Sequence, residues 1–192
     1  MAETKTTDAT EAPPAEPKPQ RRRITRRKAV ETHARSYFDA IARRDLQAMV
    51  EHWREDGVDD IVPLAPLRGH SEISAFFQEL FAAMPDVEMT VSRVVAGERE
   101  AAVEWRATGN FTGEPFQGID ATDKRIELRG LDLLEIEDGK IVGNTAYYDG
   151  MAFARQIGLM PSQESSAENA MKSAFNAATR ARRAVANWRT SR

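Results

Sequence analysis

Apolar residues in the first half of the chain recur at helical spacing and predict three helices. The first helix runs from Lys28 to Asp45. Asp45 is placed to cap a second, shorter helix that ends at Asp56 and Gly57. A third helix opens at Ser71. The predicted buried faces are Val30, Ala34, Tyr37, Phe38 and Ile41 in the first helix, Leu46, Met49, Val50 and Trp53 in the second, and Ile73, Phe76, Phe77, Leu80 and Phe81 in the third.

After Pro85 the apolar period changes from 3.6 to 2, which predicts strands. A short extended piece, Val58 to Leu64, precedes the third helix, and Asp138 and Gly139 form a strong hairpin signal. The alternating sets are Val87, Met89 and Val91, then Ala101, Val103, Trp105 and Ala107, then Leu128, Asp132, Leu134 and Ile136. Helices followed by a curved antiparallel sheet indicate an α+β domain, with a cavity between the two layers.

Composition changes this picture at the two ends of the chain. Residues 29–161 carry 13 Lys and Arg against 24 Asp and Glu, so the body is acidic. Residues 1–27 contain almost nothing to bury and end in a basic run, so we expect a disordered basic arm. Residues 28–161 form the predicted domain, and residues 162–192 predict a basic amphipathic helix. Its apolar seam is Ala167, Met171, Ala174, Ala178, Ala181, Val185 and Trp188.

The basic flanks leave several partners open. A polyanion would be repelled by the acidic body, so contact with nucleic acid or an anionic membrane would have to come from the flanks. We favour a solvated N-terminal arm, and a C-terminal helix that packs on the acidic body or on a neighbouring subunit, because alanines bury too little area for strong lipid insertion.

Several kinds of site are excluded or disfavoured by residue usage. The chain has no Cys, so thiolate chemistry is impossible. His33, His52 and His70 lack metal-binding spacing, and we expect no metal and no cofactor. No apolar run is long enough to predict a transmembrane segment, and no secretory signal is recognisable, so we expect a cytoplasmic protein.

Asp132 is the leading candidate for chemistry. Alternation aims its carboxylate at the interior among leucines, where burial would raise its pKa toward that of a general base. Its alternative role is a buried structural anchor held by a neighbouring Arg or Tyr. Counting back from a two-residue turn at Asp138 and Gly139 pairs Asp132 with Thr145 and turns Thr145 and Tyr147 inward. Tyr147 would then donate a hydrogen bond to a carbonyl oxygen.

Other residues are weaker candidates for ligand binding. Asp149 is first of all an N-cap for the short helix that follows it, with catalysis as the alternative. Asp60, next to Asp59 on the extended piece, could reach the cavity or remain solvated. Aromatic residues at core spacing could line the cavity or be ordinary core: Tyr37, Trp53, Phe76 and Trp105.

Three strings, in this order, carry a family resemblance. They are RGHSEISAFF, PDVEMTVSRVVAGEREAAVEWRATGNFTG and EDGKIVGNTAYYDGMAFARQIGLMP. About residues 30–161 resemble the SnoaL-like polyketide cyclases and ester cyclases of the nuclear transport factor 2-like superfamily. The resemblance implies a cone-shaped sheet wrapped by three helices and a deep apolar pocket. It further implies a homodimer, and cofactor-independent acid-base chemistry on hydrophobic carbonyl compounds.

The resemblance also places the family's acid-base residues on this chain. The catalytic Asp of the cyclases lies three positions before the Asp that matches Asp149, so its position is Ala146, which cannot carry a proton. A second polar pocket residue, a His in the cyclases, falls on Asp132. This alignment turns position 146 inward, against the turn count, and either a bulge or a three-residue turn would reconcile the two.

Two hypotheses of different classes therefore remain. In the first, the protein is an isomerase or cyclase with Asp132 as proton shuttle and Tyr147 as donor. In the second, Ala146 marks a non-catalytic module that binds a hydrophobic small molecule or serves assembly.

Overall fold

The computed structural model describes residues 19–62 and 64–190. The predicted disorder of residues 1–18 lies outside this range. The described part contains five helices and six strands: α1 (Pro19–Ala42), α2 (Leu46–Glu51), β1 (Trp53–Val62), β2 (Leu67–Arg68), α3 (Gly69–Ala83), β3 (Glu88–Ala96), β4 (Glu100–Phe111), β5 (Lys124–Glu137), β6 (Lys140–Tyr148), α4 (Gly150–Gln156) and α5 (Ser166–Thr190).

The strands form one curved sheet in the order β2-β1-β6-β5-β4-β3. The predicted α+β class is confirmed, together with the hairpin at Asp138 and Gly139. The sheet is mixed and not wholly antiparallel, because β1 runs parallel to β6. This pairing joins the first long strand to the last one, so no local turn signal in the sequence could reveal it.

Helix α2 begins as predicted and ends earlier. The Asp45 carboxylate accepts a hydrogen bond from the Ala48 backbone N–H at 3.0 Å, which satisfies one free donor of the first turn. The helix ends at Glu51, and Trp53 starts β1, so the prediction of a helix continuing to Gly57 is wrong. A buried Trp53 fits the inward side of either element, which is why spacing alone favoured the helix.

Helix α1 begins at Pro19, earlier than the predicted start at Lys28. Proline is tolerated in a first helical turn, and the Arg and Lys residues that follow are good helix formers. Residues 20–28 are exposed. Arg23 forms an ion pair with Glu98 in the turn between β3 and β4, at 2.5 Å.

The core lies between the helices and one face of the sheet, which we call the inner face. Helix α1 packs on β3 and β4, and α3 packs on β1 and β2. A second apolar cluster fills the end of the domain between α3, the loop after β4 and α4. Its buried members are Ala83, Met84, Val87, Phe111, Phe116, Ile126 and Ile157.

Helix α5 leaves the domain after its first turn. Glu168 is 3% exposed, accepts a hydrogen bond from Arg155 Nη2 at 2.8 Å, and fixes the start of the helix to α4. Beyond it, the side chains up to Val185 are exposed except for half-buried Thr179. Among the described side chains up to Val185, α5 does not show the predicted packing on its own domain beyond the first turn, and packing on a neighbouring subunit stays a prediction. Within residues 19–62 and 64–190, no helix has the length and apolar character needed to cross a membrane.

Candidate functional site

An apolar cavity of about 110 Å³ lies between the helices and the inner face of the sheet. Helices α1, α3 and α4, the loop after β4 and strands β1, β3, β4, β5 and β6 contribute to its wall. The aromatic lining residues are Phe38, Phe76, Phe77, Trp105, Phe116, Tyr148 and Phe153. Two carboxyl groups, Asp59 and Asp132, interrupt this apolar wall.

Asp132 lies on β5 and is 7% exposed. Its Oδ1 accepts a hydrogen bond from Trp105 Nε1 at 2.7 Å, and its Oδ2 accepts one from Asn144 Nδ2 at 2.8 Å. The Trp105 ring lies directly over Gly130, its cross-strand partner, where a Cβ atom would overlap the ring. The glycine therefore leaves the space from which the indole reaches the carboxylate.

Asp59 lies on β1 and is 1% exposed. Its Oδ1 accepts a hydrogen bond from Asn144 Nδ2 at 2.9 Å, so one amide group bridges both carboxyl groups. We call Asp59 and Asp132 the carboxyl pair. The Asn144 Oδ1 atom is buried and has no hydrogen-bond partner among the described residues.

Burial raises the pKa values of both members of the carboxyl pair. It raises the pKa of Asp59 to about 7, and the nearby charge of Asp132 acts in the same direction. Burial also raises the pKa of Asp132 to about 6, although the hydrogen bonds from Trp105 and Asn144 oppose the rise. Two such close groups titrate together, so near neutral pH the pair holds on the order of one proton.

Tyr37 lies behind the wall of the cavity. Burial raises the pKa of its hydroxyl well above the ordinary value, and the charges of Asp59 and Asp132 add to this rise. Its ring packs edge-on against Trp53, with centroids 5.9 Å apart. Neither Tyr37 nor Trp53 lines the cavity, so the prediction that these two side chains form its surface is wrong.

A β-bulge in β6 decides which side chains face the cavity. Ile136 pairs with Ile141, but Glu135 pairs with Gly143, so Val142 is the extra residue. Beyond the bulge, Asp132 pairs with Ala146, which lines the cavity.

The same bulge turns Thr145 and Tyr147 away from the carboxyl pair. Tyr147 is 48% exposed, on the opposite face of the sheet. The count back from the turn was wrong because it allowed no extra residue in β6. The predicted roles of Tyr147 as catalytic hydrogen-bond donor and of Thr145 as ligand contact are therefore wrong as well. Tyr148 lines the cavity instead, and burial raises its pKa.

Asp60 and Asp149 do not line the cavity either. Asp60 is the outward neighbour of Asp59 on β1, and Asp149 caps α4 by accepting a hydrogen bond from the Ala152 backbone N–H at 2.9 Å. The first prediction for Asp149, an N-cap, is therefore confirmed, and neither residue lies where it could contact a ligand in the cavity. Phe76, Trp105 and Asp132 do line the cavity. The predicted roles, ligand binding for Phe76 and Trp105 and catalysis for Asp132, stay predictions.

The sequence analysis missed Asp59, Asn144 and Tyr148. Asp59 alternates with buried Ile61, so counting by two from an apolar neighbour selects it over Asp60. Asn144 and Tyr148 could have been assigned to the cavity side only if the bulge in β6 had been recognised. The extra residue there, Val142, is of a type common in regular strands and does not mark a bulge. Within the described ranges, no group of three or more His, Asp or Glu side chains could hold a metal ion.

Several solved structures share this fold. A candidate SnoaL-like polyketide cyclase from Jannaschia sp. CCS1 is 18% identical, with a TM-score of 0.65, covering 77% of this chain and 100% of that one. AclR, a candidate hydroxylase from Streptomyces galilaeus, is 20% identical, with a TM-score of 0.63 and coverage of 70% and 99%. An NTF2-like protein from Burkholderia xenovorans LB400 is 21% identical, with a TM-score of 0.55 and coverage of 68% and 97%. At these identities the likeness shows the fold.

Sequence comparison gives the family. No curated protein sequence matches the chain. The family profile of the SnoaL-like polyketide cyclases matches residues 31–157, which is more than half of the chain. This range contains the carboxyl pair, its bridging amide and the cavity wall. The chain therefore belongs to the SnoaL-like polyketide cyclase family.

Proposed function

We propose that this protein is a cofactor-independent catalyst, an isomerase or cyclase that moves a proton on a small hydrophobic carbonyl compound. One observation carries the proposal: two carboxyl groups bridged by a single amide stand on the wall of an otherwise apolar cavity. Structural acids are more often exposed and solvated, whereas a buried acid with a pKa near neutral can exchange protons at working pH.

The pair offers an acid and a base at the same time. With one proton shared between them, one carboxylate can remove a proton from the carbon next to a carbonyl. The other carboxyl group can donate a hydrogen bond to the carbonyl oxygen as negative charge develops there. Return of the proton to a different carbon completes isomerisation. In cyclisation the enolate carbon instead attacks a second carbonyl of the same molecule, and the resulting alkoxide takes up the abstracted proton from the carboxyl group.

We assign the base to Asp132 and the proton donor to Asp59. Asp132 accepts hydrogen bonds from both Trp105 and Asn144, which stabilise its ionised form, whereas Asp59 accepts one and has the higher pKa. Tyr37 is buried behind the cavity wall, near enough to both carboxyl groups for their charges to raise the pKa of its hydroxyl.

The size of the cavity limits the substrate. An engineered cavity of about 150 Å³ holds benzene, so about 110 Å³ suits a substrate whose buried part is of the order of one ring. The aromatic lining supports flat, apolar ring compounds.

The experiment is solvent exchange on a panel of monocyclic β,γ-unsaturated ketones and cyclic β-diketones in D2O, followed by NMR. We expect the wild-type protein to accelerate deuterium incorporation, and Asp132→Asn to reduce that acceleration about 100-fold or more. Asp59→Asn should produce a loss of similar size.

Asp60→Asn is the matched control, because Asp60 adjoins Asp59 on the outward side of β1. It should leave exchange unchanged. Wild-type exchange that persists in Asp132→Asn and Asp59→Asn would contradict the proposed roles.

A second function rests on a different observation. Ala146 lines the cavity directly across from Asp132, at the position that carries the acid-base residue in the resembled cyclases. A module that has lost catalysis would bind the same ring compounds without exchanging their protons. Saturable binding without exchange, together with exchange gained in Ala146→Asp, would favour this alternative.

A further inference from the structure

Helix α5 carries an apolar stripe along most of its length. This stripe, which we call the α5 stripe, lies on one side of the helix and consists of Met171, Ala174, Phe175, Ala178, Ala181 and Val185. Its three larger side chains, Met171, Phe175 and Val185, are 42%, 68% and 53% exposed. Continuous apolar surface that stays in water usually marks a site of interaction.

The opposite side of α5 is basic. Arg180 and Arg183 lie on that side, Arg182 lies at the border of the α5 stripe, and all three side chains are exposed. Lys172, also on the basic side, forms an ion pair with Glu168 at 3.1 Å. No Asp or Glu follows Glu168 in the sequence, so no acid on α5 is close enough to pair with the three arginines.

The helix is attached to the domain only through its first turn. There the Glu168 carboxylate accepts hydrogen bonds from Arg155 of α4 at 2.8 Å and from the Glu164 backbone N–H at 2.7 Å. The 25 residues of α5 span about 37 Å. At physiological salt, the repulsion between exposed charges is screened beyond about 8 Å. The basic part of α5 can therefore approach an anionic surface although residues 29–161 are acidic.

We propose that α5 binds reversibly to the surface of an anionic lipid bilayer. The α5 stripe enters the boundary between headgroups and acyl chains, and the arginines remain at the level of the lipid phosphates. A bilayer of this charge satisfies both sides of the helix at once. A helix with so many cations lies on a bilayer and does not cross it.

Other partners satisfy the helix less completely. A second α5 would cover the stripe but would oppose like charges, because residues 169–192 contain six Lys and Arg and no Asp or Glu. Nucleic acid would neutralise the arginines but leave the stripe in water. The acidic body of the same chain is always close to α5, yet it covers no more than the first turn of the helix. The same surface on another copy is a weaker site still, because that copy is not tethered to the helix.

Two contributions are needed for this binding. Alanines bury little area, so the apolar contribution comes mainly from Met171, Phe175 and Val185. The cations supply the second contribution, which requires anionic headgroups and becomes weaker as salt increases. This inference does not depend on the chemistry of the cavity.

The test measures binding of the full-length chain to vesicles by flotation. One set of vesicles is phosphatidylcholine alone, and the other is an equal mixture of phosphatidylcholine and phosphatidylglycerol. At low salt, the protein should bind the mixed vesicles about 10-fold or more tightly than the neutral ones, and added salt should release it. Equal binding to both sets, or no binding to the mixed vesicles at low salt, would overturn the proposal.

Variants locate the contact on α5. Phe175→Gln with Val185→Gln removes apolar area, and Arg180→Gln with Arg183→Gln removes charge. Each pair should weaken binding to the mixed vesicles about 10-fold or more. All four positions are exposed, so the thermal unfolding of the domain should not change.

Arg22→Gln with Arg26→Gln is the matched charge control, because it removes two exposed cations from the start of α1. It should leave the vesicle affinity within about 3-fold of the wild-type value. A loss as large as that of the α5 charge variant would overturn the assignment to α5.

Tryptophan fluorescence reports on the end of the helix. Trp53 and Trp105 are buried, whereas Trp188 is 58% exposed. Emission should therefore shift to shorter wavelength when mixed vesicles are added, and Trp188→Phe should abolish the shift. A shift that persists in Trp188→Phe would place the contact elsewhere and overturn the proposal.

Two further measurements exclude the other partners. Sedimentation without lipid should give the same mass for the wild type and for Phe175→Gln with Val185→Gln. A lower mass for the variant would assign the α5 stripe to a second copy and overturn the proposal. Tighter binding to duplex DNA than to mixed vesicles at the same salt would assign the helix to nucleic acid and would likewise overturn it.

Discussion

The two faces of this sheet place carboxyl side chains in opposite environments. On the inner face, Asp59 and Asp132 are buried, share one amide donor, and have raised pKa values. On the opposite face of the sheet, the outer face, Glu100 and Glu135 are exposed. The difference shows that burial beneath the helices raises the pKa of a carboxyl group toward neutral.

The largest expected difference between the faces comes from a pair of glycines. A Cβ added at Gly130 on the inner face would overlap the Trp105 ring, whereas one at Gly143 on the outer face would meet Glu135 at an ordinary 3.6 Å. Gly130→Ala should reduce the free energy of unfolding by about 3 kcal/mol, because the indole must move and break its bond to Asp132. Gly143→Ala should change it by less than about 0.5 kcal/mol. Chemical denaturation measures both changes in unfolding free energy. Equal changes would contradict the close packing of the Trp105 ring on Gly130.

The next difference between the faces concerns the pH dependence of stability. Both members of the carboxyl pair have a higher pKa in the folded chain than in the unfolded chain, so the folded chain binds more protons between about pH 4 and 7. The stability contributed by the pair is therefore greatest below about pH 4 and falls progressively as pH rises to 7.

The measurement compares unfolding free energies of the wild type and the double variant Asp59→Asn with Asp132→Asn across this range. The double variant should lose that part of the pH dependence, while Glu100→Gln with Glu135→Gln on the outer face should retain it. Identical pH profiles for the wild type and the inner-face variant would exclude a desolvated pair.

The Trp105 hydrogen bond gives a finer test of the inner face. Trp105→Phe keeps an apolar ring over Gly130 and removes the donor to Asp132. Because this bond lowers the pKa of Asp132, its loss should raise that pKa by about one unit. Carboxyl ¹³C NMR measures the change. A lower or unaltered pKa would show that the indole does not stabilise the ionised form.

The smallest expected effect separates two neighbouring tyrosines. Tyr147→Phe on the outer face should change the unfolding free energy by less than about 0.5 kcal/mol and leave proton exchange intact. Tyr148→Phe alters the cavity wall and should shift ligand affinity. Thermal denaturation and ligand titration compare the two variants. A loss of exchange confined to Tyr147→Phe would reverse the assignment of faces.

Local signals predicted much of the fold. The Asp45 cap, the aromatic face of α3, the strand alternation and the hairpin at Gly139 all follow from short-range chemistry. The parallel pairing of β1 with β6 depends on residues far apart in the chain, and periodicity carries no information about it. The boundary between α2 and β1 was misjudged because Trp53 satisfies either period.

The site was less predictable than the fold. Asp132 could be identified because apolar neighbours fix its face on β5. The cavity-facing side chains of β6 could not be identified, because the extra residue at Val142 exchanges the two faces of the strand for all positions beyond it. The family resemblance placed position 146 correctly where the turn count did not, because an alignment preserves an inserted residue.

The most direct test of the account is a carboxyl ¹³C titration of the full-length protein with residue-specific assignment of Asp59 and Asp132. The account predicts that both resonances respond to the same two steps, with apparent pKa values of about 6 and about 7. It further predicts that Asn144→Leu, which removes the bridging donor, shifts both resonances together. Independent titration of the two groups near pH 4, the value for solvated aspartate, would contradict the account.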